Sequence, residues 1–244
     1  MPQPRYRYSS RLYGYFPVGI KWLLISNTVI FVVLGLGPFD PRQVLAWFGL
    51  NKVLSIALIW QLFTYQFLHG GVFHLVFNML ALWMFGSPLE SDWGTRRFLR
   101  YYFVCGVGAG ICDVLLSMLL HDPRATIGAS GAIYGVLLAF GVCYPEQTVL
   151  MNFLFPIKAK YMVMIYGAIA LYGSMGINSG VSNIAHLGGM AVGFVYLRSS
   201  VPRMKLRLPD FQGAYRQWKL DRAKRKFQVY MKKHGGGGQG PWVN

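Results

Sequence analysis

Six apolar runs, separated by short polar or glycine- and proline-containing breaks, set the pattern of the chain. They cover residues 19–37, 72–87, 98–120, 128–144, 161–176 and 181–197. Each approaches the roughly 20 residues that cross a bilayer as a helix. The first run stops at Pro38-Phe39-Asp40-Pro41. Residues 39–71 read differently. They are apolar but broken by Asp40, Arg42, Asn51 and Lys52, and rich in Trp47, Phe48, Trp60, Phe63, Tyr65 and Phe67. Tryptophan and tyrosine favour the membrane interface, so this stretch predicts short helices half in the outer leaflet rather than a span. A polar loop with Glu90, Asp92, Trp93, Arg96, Arg97 and Arg100 follows the second run. A connection with Pro145, Glu146, Pro156, Lys158 and Lys160 precedes the fifth. The expected fold class is an all-α membrane protein, a bundle of six spans with an embedded first loop.

Composition agrees with that pattern. Hydrophobic residues make up 54% of the 244 and charged ones 13%, with a mean hydropathy of +0.37. That balance argues against a water-soluble all-α domain. The net charge of +16 is unevenly placed: from Arg198 onward there are twelve basic residues against two acids. Beside membrane spans, such a segment reads as a cytoplasmic tail on anionic lipid, and no nucleic-acid partner is expected. Within it, residues 214–233 predict a basic amphipathic helix and 235–238 a disordered glycine run.

Orientation follows from lysine and arginine. With the N-terminus in the cytoplasm, the inner segments hold Arg5, Arg7, Arg11, Lys21, Arg96, Arg97, Arg100, Lys158, Lys160 and the tail. The outer ones hold only Arg42, Lys52 and Arg124, so both termini are expected inside. The basic flank before the first run resembles a signal peptide. It shows no small-residue cleavage site and more runs follow, so it reads as an uncleaved first span. The domain plan is residues 1–18 as a cytoplasmic N-terminus, 19–197 as the membrane domain, and 198–244 as a basic, partly disordered cytoplasmic tail. Cys105, Cys112 and Cys143 fall inside apolar runs, without disulfide or metal spacing.

The chemistry centres on Thr126-Ile127-Gly128-Ala129-Ser130-Gly131. A hydroxyl there sits at the start of a membrane helix, where free N–H groups and the positive dipole end suit an oxyanion. Small residues also serve helix packing. In the expected topology the second, fourth and sixth runs share one direction. His74, Asn78, Ser130 and His186 then fall at one depth near the outer face, where polar groups are costly and usually functional. A serine needs a base, and His69, His74, His186 and Asp113 are candidates. Gly131 and Gly135, and likewise Gly189 and Gly193, each stand four apart and permit a close helix crossing. Such a crossing would bring His186 to Ser130, with Tyr134 one turn below. His74 and Asn78 share a face and, with the Ser130 N–H, can form an oxyanion hole. A metal site of His69, His74 and His186 lacks a carboxylate or thiolate at useful spacing, and no metal or other cofactor is expected.

These residues together resemble the rhomboid intramembrane serine proteases in their compact six-span bacterial form. The likeness rests on Gly128-Ala129-Ser130-Gly131 with Tyr134, on Ala185-His186-Leu187-Gly188-Gly189 with Gly193, and on the stretch from His69 through His74 to Asn78. It covers about residues 19–197. The resemblance implies a Ser130–His186 dyad with no third acid, and oxyanion stabilisation by His74, Asn78 and backbone N–H. It also implies that Tyr134 packs on His186, and that a mobile fifth span admits substrate from lipid. It implies a serine endopeptidase of the bacterial inner membrane acting on transmembrane segments of other proteins. A non-catalytic relative that binds membrane clients is the alternative. Trp60-Gln61 stands where the family usually has Trp-Arg, and Glu90 and Arg96 resemble a Glu and an Arg that often follow its second span.

Overall fold

The computed structural model describes residues 16–51, 58–120, 124–151, 154–175, 182–200, and 219–230 apart from 221 and 225. Expectations for Arg5, Arg7, Arg11, Lys52, the polar loop 177–180 between the fifth and sixth runs, and most of the basic tail, including 235–238, lie outside the described residues.

Helix α1 spans Val18–Leu36. It is apolar all round, yet only Gly19, Ile20, Leu23 and Asn27 are buried. Trp22, Val29, Val33 and Leu36 face outward, as suits a helix on the lipid side of a bundle. Its first N–H groups have no intrahelical partner and are met from far along the chain. Gly19 N–H donates to Glu90 Oε1 at 2.7 Å and Ile20 N–H to Oε2 at 2.8 Å. Glu90 is thus a buried helix cap, not a residue of a polar loop.

The segment after α1 folds into short helices. In α2 (Pro41–Phe48), proline opens the helix and the Asp40 carboxylate accepts from Arg42 N–H at 2.9 Å. In α3 (Gln61–Thr64), which runs into a tight turn through Phe67, Gln61 is fully buried. Its amide donates to Ala46 O at 2.7 Å and accepts from Asn51 N–H at 2.9 Å. Trp60 Nε1 donates to Trp47 O and Thr64 Oγ1 to Phe48 O. With glutamine at position 61, the loop is bonded internally.

Helix α4 (Val72–Ala81) continues through a wide turn, Leu82–Gly86, into α5 (Ser87–Trp93). Pro88 lacks an N–H and would crowd the preceding turn of a regular helix, and the widened turn accommodates it. The expected second span therefore runs six residues past position 87, to Trp93. Helix α6 spans Thr95–Leu120, α7 Ser130–Cys143, α8 Ala159–Ser174 and α9 Asn183–Ser200. The all-α expectation needs one correction. Between α7 and α8, β1 (Thr148–Met151) pairs antiparallel with β2 (Phe155–Lys158), in the register Thr148↔Lys158. At its base, Lys158 and Lys160 both bond to Glu146. Those two ammonium groups hold the Glu146 carboxyl below its ordinary range.

Among the described residues, Val18–Leu36, Val72–Trp93 and Thr95–Leu119 are long and apolar enough to cross a membrane. Helices α7 and α8 have 14 and 16 residues. At about 1.5 Å per residue they are shorter than a hydrocarbon core of about 30 Å.

The core is the crossing of α6, α7 and α9. Glycine sets how close they come. A methyl group on Gly189 would overlap the carbonyl oxygen of Gly131. One on Gly135 would meet Cys105 Sγ at 2.6 Å, and one on Gly193 would strike the Tyr101 hydroxyl. That hydroxyl donates to Gly135 O at 2.7 Å, tying α6 to α7. Residues 203–244 form a separate unit, whose described residues are helical, with Leu220, Phe227 and Tyr230 exposed.

Candidate active site

Ser130 is the first residue of α7. The chain reaches it through Gly128, whose φ of +116° is open to glycine and strained for other residues. A Cβ on Gly128 would also lie 2.8 Å from His74 Nε2, so an absent side chain serves both backbone and neighbour. Gly128 N–H donates to Tyr65 O at 2.9 Å, fixing this approach against the turn after α3.

His186 lies in the first turn of α9 and is buried, with its Nε2 2.7 Å from Ser130 Oγ. Of the four candidate bases, this is the one bonded to the serine. The ring of Tyr134 stacks on the imidazole, with centroids 4.1 Å apart and planes within 4° of parallel. Tyr166 of α8 meets the Tyr134 ring edge-on at 6.3 Å.

His74 and Asn78 approach from α4. His74 Nδ1 accepts a long hydrogen bond of 3.4 Å from Gly70 N–H. That network assigns the ring proton to Nε2, on the side facing Gly128. Asn78 Nδ2 donates to His74 O at 2.9 Å and lies 3.9 Å from the place a Gly128 Cβ would occupy. Its second amide hydrogen is not used by that bond. A cavity of about 350 Å³ opens beside these groups, and Tyr65, His74, Arg124, Thr126, Ser130 and His186 are among the residues lining it.

His69 does not line the cavity. Its ring meets that of His74 edge-on at 5.0 Å. Burial, helped by neighbouring His74, lowers its pKa to about 4. Among the described residues no group of three or more His, Cys, Asp or Glu could hold a metal ion. Asp113 is fully buried and accepts from the hydroxyls of Thr126, at 2.6 Å, and Ser182.

Tyr65, Thr126 and Ser182 escaped the sequence reading as site residues. Thr126 and Ser182 each stand four positions ahead of Ser130 or His186, a spacing that could have raised them. Tyr65 acts through its backbone carbonyl, which carries no side-chain signal.

Long apolar helices around a serine–histidine pair, its imidazole buried and its hydroxyl half-buried at the cavity, define an integral membrane protein with hydrolase-like side chains. A family model described as the Rhomboid domain matches residues 57–202. The chain belongs to the rhomboid family. Rhomboid protease GluP of Bacillus subtilis is 35% identical over 147 residues, 59% of this chain and 26% of that protein. YdcA, a rhomboid-named protein of the same organism, is 35% identical over 184 residues, 74% of this chain and 86% of that one. RHOMBOID-like protein 4 of Arabidopsis thaliana is 33% identical over 162 residues, 66% of this chain and 39% of that protein. The chain thus spans well under two thirds of that plant relative and of GluP.

Proposed function

We propose that the chain is an intramembrane serine endopeptidase that cuts transmembrane segments of other proteins near the outer face of a membrane. The hydrogen bond of 2.7 Å between His186 Nε2 and Ser130 Oγ, in a membrane protein of this family, carries the reading. Ser130 attacks the substrate carbonyl as His186 takes its proton. His74 Nε2–H, Asn78 Nδ2–H and the Ser130 N–H hold the oxyanion. His186 protonates the leaving amine, and water then releases the acyl group from Ser130. No third acid serves this dyad in the proposal, and the stacked Tyr134 holds the imidazole in place.

In this reading six spans lie within residues 19–197, preceded by a cytoplasmic N-terminus and followed by a basic cytoplasmic tail on anionic lipid. The membrane is a bacterial inner membrane. Helix α8, short and with Ile169, Leu171 and Tyr172 exposed, borders the path by which substrate enters from lipid. A substrate helix hides its peptide bonds, so segments with small or helix-breaking residues near the cut should be favoured.

The test is reconstitution in liposomes with a panel of single-span substrates and mass spectrometry of the products. The proposal expects internal cleavage in some of them, lost in Ser130→Ala. No cleavage of any substrate, with intact folding, would favour a client-binding role.

A further inference from the structure

The carboxyl of Asp113 lies behind the cavity wall rather than in it, since Thr126 and Ser182 line the cavity and Asp113 does not. Its two oxygens are used separately. Oδ2 accepts from the Thr126 hydroxyl and Oδ1 from the Ser182 hydroxyl. Each donor belongs to the lead-in of one helix of the dyad.

Thr126 is held at its backbone as well. Its N–H donates to Leu50 O at 3.0 Å and its carbonyl accepts from Leu50 N–H at 2.9 Å. From there, two residues lead to Gly128, pinned to Tyr65, and two more to Ser130. Ser182 caps α9. Its Oγ accepts from Ala185 N–H at 3.2 Å while its hydroxyl proton goes to Asp113, and its carbonyl accepts from His186 N–H at 3.3 Å. A hydroxyl that caps the third helical N–H is a preferred helix start. Here its proton is committed to a third element, α6. One buried carboxyl on α6 therefore holds the segments that lead into α7 and α9, at positions four residues ahead of Ser130 and of His186. His186 Nδ1 has no hydrogen-bond partner among the described residues, so the Asp113 carboxyl does not bond the imidazole as the acid of a triad would.

We propose that Asp113 is a positioning residue, which sets the Ser130–His186 separation by tying Thr126 and Ser182 to one point on α6. This rests on the dyad reading above. Misplacement of reacting groups by about 1 Å costs on the order of a hundredfold in rate. Loss of either tie should lower the chemical step and leave substrate affinity nearly unchanged.

The experiment compares wild type, Asp113→Ala, Asp113→Asn, Thr126→Val and the double variant Asp113→Ala/Thr126→Val in liposomes. For each, the melting midpoint, kcat and KM for one cleaved substrate, and the labelling rate with a fluorophosphonate are measured. Thr126→Val keeps the side-chain shape and tests the tie even if the Asp113 variants fail to fold. The expected result is a roughly tenfold to hundredfold fall in kcat and labelling rate for Thr126→Val and Asp113→Ala, with KM within about twofold. Asp113→Asn, which keeps one carbonyl acceptor, should recover part of the loss. The double variant should be no worse than Asp113→Ala. Folded single variants with unchanged kcat, or losses that multiply in the double variant, would overturn the proposal. A folded wild type that neither labels nor cleaves overturns the dyad reading itself, and this placement role with it.

Discussion

The ring of Tyr134 lies 4.1 Å from that of His186, with the two planes within 4° of parallel. Tyr134 is one turn below Ser130 on α7, while His186 belongs to α9. The stack therefore fixes the imidazole from the same helix that carries the hydroxyl. Orientation that a third acid supplies in a triad can come here from ring-on-ring packing.

Tyr134→Ala should lower kcat by about tenfold or more, because the imidazole gains freedom to turn away from Ser130. Tyr134→Phe keeps the ring and should stay near wild type. Steady-state cleavage in liposomes checks both. Equal activity in Tyr134→Ala and wild type would remove the stack from the mechanism.

Gly189→Ala should destabilise the bundle, since the added methyl overlaps the Gly131 carbonyl, a backbone atom that cannot swing aside. Overpacking of this kind costs about 1–3 kcal/mol. The melting midpoint in detergent should fall, and cleavage should fall further as α9 is pushed from α7. A variant that melts like wild type would mean that the crossing is looser than described.

Glu90→Ala should also destabilise, by a route far from the cavity. It leaves Gly19 and Ile20 N–H without their acceptor and removes the partner of Thr95 Oγ1, now bonded at 2.6 Å. Stranding a buried donor costs about 1–3 kcal/mol. The melting midpoint should drop, with kcat of the folded fraction close to wild type. A large kcat loss at unchanged stability would contradict a capping role.

His69 gives a pH dependence whose sign can be worked out. Its folded pKa, about 4, lies below the ordinary value of 6.5, first because of burial and second because of His74. Between those values the unfolded chain binds a proton that the folded chain refuses. Stability contributed by neutral His69 is full above about pH 6.5 and is lost as pH falls toward 4. His69→Gln should flatten this part of a melting-midpoint profile from pH 7 to 4. An unchanged slope in that variant would assign the acid sensitivity to other groups.

The helices were legible because each is a run of apolar residues ended by proline, glycine or charge; the ends of five runs fall within three residues of the observed ones, while the second stops six short of Trp93. Ser130 and His186 stood out because polar side chains at the start of apolar helices are rare. What escaped depends on distant pairing. Glu90 caps a helix 71 positions earlier, so its neighbours in sequence suggest only a polar loop. Asp113 acquires its partners when Thr126 and Ser182 fold beside it. The hairpin of β1 and β2 has four-residue strands with Pro156 in one of them, too short to show alternation. Gln61 stands where the family usually has arginine, yet its amide reaches both ends of the turn it bridges.

The first measurement to make is labelling of the purified protein with a fluorophosphonate probe, followed by mass spectrometry of the adduct. An activated Ser130 should carry the phosphonate at its Oγ, and His186→Ala should abolish the adduct while leaving the fold intact. Labelling that persists in His186→Ala, or that maps to a different residue, would contradict the Ser130–His186 dyad.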